Sequence, residues 1–301
     1  MEIIKPGINI NFISKRKTFL ILSSAIIIVG ISSFLIKGGF NYGIDFVGGT
    51  LVQLRFQKDI KIDEIREGLR GVDLGDSVIQ HFGNEKEILI RVEKSESGLE
   101  GMQGDIKRAL AESPDLGKFE VERTEMVGPQ VGKDLRRKAL LAISYALLGI
   151  VFYVAWRFEF KYAVAAIIAL LHDVLFTLTA FSLTNREINL PIIAALLAII
   201  GYSLNDTIVV FDRIRENLKV RKKEAYEVTI NNSINETLSR TLLTSLTTLI
   251  VLVVLFFLGG EVINNFSFAL IVGVIVGTYS SIFIASPILV MWRSKSKRKA
   301  L

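Results

Sequence analysis

Six apolar runs separated by one long polar gap constrain this chain more than any other feature. Residues 18–36, 139–156, 162–183, 190–211, 241–258 and 266–292 are each long and apolar enough to cross a hydrocarbon core about 30 Å thick. Inside that core every backbone N–H and C=O must be satisfied within the protein, so each run is expected to be a helix. Half of the residues are hydrophobic and the mean hydropathy is +0.45, too apolar for a soluble domain of ordinary composition. The chain reads as an α-helical polytopic membrane protein.

An even number of spans puts both termini on one side. Lys15 to Lys17, Arg157 and Lys161, the basic cluster at 213–223 and that at 293–299 all gather on that side, and Arg186 stands in a short loop opposite. The positive-inside rule then places both termini in the cytoplasm of a plasma (inner) membrane. Arg136, Arg137 and Lys138 abut the second span on the outer side, but they end a segment long enough to translocate regardless of charge. The net charge of +6 therefore marks helix ends and orientation, and no nucleic-acid partner is expected. The first run is longer than the core of a usual signal peptide and lacks a small-residue cleavage site, so residues 1–38 are expected to be a cytoplasmic N-terminus and a retained first span. The polar stretch at 213–240 carries Ala225, Val228, Ile234 and Leu238 at roughly helical spacing and is expected to lie on the cytoplasmic surface against anionic membrane lipid.

The gap at 39–138 has an alternation of its own. Val52, Leu54 and Phe56 share one face of a strand, and Ile62, Ile65 and Leu69 follow at helical spacing. Strands at 78–82 and 88–92, joined by a turn around Gly83 and Asn84, precede a helix marked by Leu99, Met102, Ile106 and Leu110 and a last strand at 119–127. The order βαββαβ predicts a ferredoxin-like α+β external (periplasmic) domain between the first and second spans. Its first and last strands are expected side by side in the middle of the sheet. Residues 139–301 then form a five-helix transmembrane region.

Charged groups within the spans are the candidate site. Asp206 falls inside the fourth run, on one helical face with Ala195, Ile199 and Tyr202. Asn205 continues a neighbouring stripe of Ala194, Ala198 and Gly201 that admits another helix. Asp173 lies on the third span with His172 beside it, and Arg240 opens the fifth above Thr244 and Thr247. Ionisable residues in spans are costly and usually serve a pathway or a partner. A seam of these groups suits a proton carrier, because an arginine favours the carboxylate and apolar walls favour the neutral acid. A purely structural network between helices uses the same residue types, and for His172 and Asp173 both readings stay open. Neighbouring residues point about 100° apart, which argues against a His172/Asp173 metal site. Gly273 and Gly277 form a GxxxG pair suited to close helix packing. The glycines of GIDFVGGT at 43–50 lack a phosphate-loop lysine and read as a turn at the membrane exit. No catalytic residue, metal or cofactor is expected, cysteine is absent, and nothing suggests an enzyme that consumes ATP.

Five motifs carry a family resemblance: GIDFVGGT at 43–50, GPQVGKDL at 128–135, LHD at 171–173, SLNDTIVVFDRIREN at 203–217 and ETLSRTLLTS at 236–245. From first span to last the chain resembles the SecD/SecF family of protein-export membrane proteins, in its smaller SecF form, and more remotely one half of the resistance-nodulation-division transporters. The resemblance implies a SecD-like partner, the Sec translocon channel, a translocating unfolded polypeptide and protons driven by the proton motive force. It also implies central roles in proton conduction for Asp206 and Arg240, and less defined ones for Asp173 and Asn205. A half-subunit of a proton-coupled small-molecule or lipid exporter is the first rival reading, and a non-conducting scaffold the second.

Overall fold

The computed structural model describes residues 9–82, 84–92, 99–113 and 116–298; Gly83 of the expected turn and Lys299 of the terminal basic cluster lie outside them. The chain divides into two compact units, one of Met1–Asn41, Leu141–Glu187 and Pro191–Leu301, the other of Tyr42–Leu140 with Ile188–Leu190. In chain order the elements are helix α1 (Arg16–Ile36), the short α2 (Ile44–Val47), β1 (Gly49–Phe56), α3 (Ile62–Arg70), β2 (Val78–Phe82), β3 (Asn84–Val92), α4 (Leu99–Ala111) and β4 (Phe119–Val127). These are followed by α5 (Pro129–Arg157), α6 (Phe160–Thr184), α7 (Leu190–Val220), α8 (Tyr226–Leu258), α9 (Glu261–Ser280) and α10 (Ser286–Arg298).

Among the described residues six helical stretches are long and apolar enough to span a membrane, the last running through α9, a π-helical turn at Ser281–Ala285 and α10. Close approach between helices rests on residues without bulk. A Cβ on Gly273 would sit 2.3 Å from the Ile199 side chain, one on Gly277 2.9 Å from Ser203 Cβ, and one on Gly30 2.1 Å from Thr179 Oγ1. The GxxxG pair of α9 therefore seats α7 against it. The large buried side chains Tyr162 and Phe211 meet edge to face with centroids 5.1 Å apart and anchor α6 to α7.

The polar stretch at 213–240 departs from expectation. It is helical over most of its length and not a loop: α7 continues to Val220 and α8 begins at Tyr226, so only 221–225 lie between them. At 1.5 Å per residue, helices of 31 and 33 residues exceed the bilayer by several turns, and the polar ends pair with each other. Glu236 accepts from Arg213 Nε at 2.5 Å, Arg221 Nη2 at 2.6 Å and Asn217 Nδ2 at 2.8 Å. Arg186, the cation set apart by the charge pattern, is held in place. It packs 4.4 Å from the centroid of Phe268 and donates to Asn264 and Asn265, both at 2.7 Å.

In the small unit the sheet order is β2-β3-β1-β4 and every neighbouring pair is antiparallel. This is the ferredoxin-like arrangement, with one correction: β1 and β4 are neighbours, but β4 is an edge. The reason is the split βαβ unit, in which β3 returns between β1 and β2, so that β1 and β3 take the middle. Val52, Leu54 and Phe56 of β1 and Ile88 and Ile90 of β3 are buried with Ile65 and Leu69 of α3 and Ile106 and Leu110 of α4. Strand period two meets helix period 3.6 on one face.

Candidate functional site

Among the described residues two carboxylates are buried in the helical unit. Asp206 is 2% exposed and Asp173 1%. The stripe that places Asp206 inside is the one its spacing implies, since Ala195 and Ile199 are buried with it. Its surroundings are sparse. Ser245 Oγ of α8 donates to Asp206 Oδ2 at a long 3.4 Å and lies 2.6 Å from Thr278 Oγ1 of α9, which ties three helices through hydroxyls. Thr207 and Thr241 each bury a hydroxyl that has no hydrogen-bond partner among the described residues.

Asp173 is held far more firmly. His172 Nδ1 donates to Oδ1 at 2.9 Å, and Ser203 Oγ and Ser280 Oγ donate to Oδ2 at 2.5 and 2.7 Å. The three donors come from α6, α7 and α9, and Ser280 immediately precedes the π-helical turn. The neighbouring side chains of His172 and Asp173, expected to diverge, instead turn toward each other, and the imidazole stacks on Tyr279 at 28° and 6.0 Å. The serines and threonine of this network were not singled out from the sequence. The available signal was their position: Ser203 lies one turn before Asp206, and Ser280 interrupts an apolar run.

The expected single seam does not form. Asn205 and Arg240 are exposed in this chain, whereas the two acids are buried. Among the described residues, no carboxylate lies within 4.0 Å of Arg240. Asn205 and Arg240 instead line a cavity of about 650 Å³ together with Arg157, Asp212, Arg213 and Glu236. The physical reason is helical phase: Asn205 is 100° from Asp206 and continues the exposed stripe of Ala194, Ala198 and Gly201. Among the described residues no group of three or more His, Cys, Asp or Glu side chains is placed to hold a metal.

The C-terminal region of the SecD/SecF protein export membrane proteins matches residues 106–295, and the SecD/SecF GG motif matches 33–60. The protein translocase subunit SecF of Calditerrivibrio nitroreducens is 50% identical over 301 residues, 99% of each chain. The chain belongs to the SecD/SecF family. A second SecF, from Desulfurispirillum indicum, is 52% identical over 288 residues, covering 93% of this chain and 91% of that one. The crystal structure of SecDF, a translocon-associated membrane protein from Thermus thermophilus, superposes with a TM-score of 0.86 at 38% identity, over 96% of this chain and 39% of that chain. The SecD/SecF GG motif contains the glycine cluster at 43–50, and the C-terminal match contains both buried acids.

Proposed function

We propose that this chain is a SecF-like accessory subunit of the Sec translocase, which with a SecD-like partner uses the proton motive force to promote export of unfolded polypeptides through the translocon channel. The observation that carries the reading is Asp206, a carboxylate 2% exposed in a membrane helix with one long hydroxyl contact and, among the described residues, no ion pair within 4.0 Å. A group so weakly held in either protonation state can exchange a proton without dismantling the bundle. One proton crossing with the membrane potential releases about 2.3 kcal/mol per 100 mV, enough to shift a conformational equilibrium roughly fiftyfold. Arg240, facing the adjacent cavity, is the cation that favours the charged state.

The proposal extends to orientation and partner. Both termini lie in the cytoplasm of the plasma membrane, and residues 39–138 form the external domain. The exposed stripe of Ala194, Ala198, Gly201 and Asn205 offers a SecD-like helix a close approach beside Arg240. An exporter of apolar small molecules is less well supported. The small unit has a cavity of about 680 Å³, but Arg55, Lys86, Lys107 and Lys118 line it beside Phe56 and Phe119.

The test is Asp206→Asn, nearly isosteric and unable to ionise, in the full complex in energised membrane vesicles. The expected result is normal membrane accumulation and partner recovery with at least a tenfold loss of proton-dependent export stimulation, and partial activity for Asp206→Glu. Wild-type stimulation by the Asn variant would overturn the proposal.

A further inference from the structure

The helix that carries Asp206 begins with an unusual cap. Its first residues are Leu190 and Pro191, and the preceding Asn189, a residue type that normally caps with its own side chain, has its Oδ1 buried without a hydrogen-bond partner among the described residues. The Leu190 N–H instead donates to Asp45 Oδ2 at 2.8 Å, from 145 residues away. Asp45 lies in α2, within the GIDFVGGT segment. The same segment pairs with the approach to α7, because Tyr42 bridges Ile188 and the Gly43 N–H donates to the Ile188 carbonyl at 2.9 Å.

On its other side the segment is fastened into the small unit. Arg91 Nη1 of β3 donates to the Tyr42 carbonyl at 2.5 Å. Gly48, at φ +81°, leaves room for the backbone of Pro129, where a Cβ would fall 2.9 Å from its Cα. A Cβ on Gly132 would fall 3.0 Å from the Phe46 carbonyl oxygen. Two glycines thus let the start of α5 close onto α2, and residues 188–190 belong to the same compact unit. A carboxylate at a helix N-terminus satisfies an N–H that has no partner in the helix and opposes the positive end of the helix dipole.

We propose that Asp45 is a positioning residue for transport: through its cap on Leu190 it fixes the first residue of the Asp206 helix within the small unit. This rests on the proton-coupled reading above. The strap of Tyr42, Gly43 and Asp45 holds residues 188–190, and with them the first residue of α7, within the small unit.

The test uses the full-length chain in membranes with its partner and compares Asp45→Ala, which removes the acceptor, with Asp45→Asn, which keeps one. Two readouts are taken: hydrogen exchange at the Leu190 amide and proton-dependent export. Asp45→Ala is expected to speed exchange by roughly fivefold, the scale of a lost cap, and to lower export at least threefold. Asp45→Asn is expected to restore both. Unchanged exchange in the Ala variant would overturn the strap; faster exchange with wild-type export would overturn the positioning role. Failure of the Asn variant to restore either readout would also overturn it. The exchange readout does not depend on proton coupling, so a failure of that reading, detected by Asp206→Asn in the same vesicles, remains distinguishable.

Discussion

The surroundings of Asp173 and Asp206 differ as a knot differs from a hinge. Both acids are buried in neighbouring helices of one bundle, yet Asp173 receives three side-chain hydrogen bonds from three helices and Asp206 one long contact. Burial alone therefore does not identify a proton carrier. A carboxylate whose oxygens accept from several donors is committed to one arrangement, and releasing it leaves a buried imidazole N–H and the Ser203 hydroxyl short of partners, while Ser280 keeps the Gly277 carbonyl. A carboxylate with almost no partners breaks few hydrogen bonds when its charge changes, and the cost of that change falls on burial. On the proposed reading, Asp173 holds α6, α7 and α9 together and Asp206 carries the proton.

This contrast breaks most readily at the carboxylates themselves. The largest expected effect is the loss of proton-dependent export in Asp206→Asn with the fold intact, set out above. At position 173 the pattern is expected to reverse. Asp173→Ala strands its donors and should cost about 3 kcal/mol of stability, read as reduced protease resistance or thermal stability of the purified protein. Asp173→Asn, which keeps an acceptor and adds a donor the serines can use, should lie within about 1 kcal/mol of wild type and still transport. Export abolished by Asp173→Asn in a stable protein would make Asp173 a second carrier and erase the distinction.

A smaller effect is expected at the helix contact that both acids share. Gly273→Ala drives a methyl into Ile199 on α7, and overpacking of this kind costs about 1–3 kcal/mol. Thermal unfolding should fall while the protein still assembles, because the helix polar contacts remain. The smallest effect is expected at the exposed ends of α7 and α8. Arg213→Ala removes one of two arginines from Glu236, and a pair open to solvent should change stability by less than about 1 kcal/mol. Chemical denaturation that moved further would show that the pairing between these helix ends carries more of the fold than exposed ion pairs usually do.

The amino-acid order by itself determined the spans and the ferredoxin-like element order, because bilayer thickness demands a run length and strand and helix periods repeat locally. It also marked Asp206, since a carboxylate in an apolar run stands out without any neighbour being known. Asn205 and Arg240 were legible as polar residues in or beside spans, but not as exposed ones. Which side of a helix faces a partner depends on the packing of all the others, and the glycines of α9 turn α7 so that Ser203 faces inward and Asn205 outward. Only the tertiary structure decided that Asp173 is triply bonded, that β4 is an edge strand and that Asp45 caps α7. Each of these joins residues distant in the chain, and local periodicity holds no information about pairs separated by 30, 107 or 145 positions.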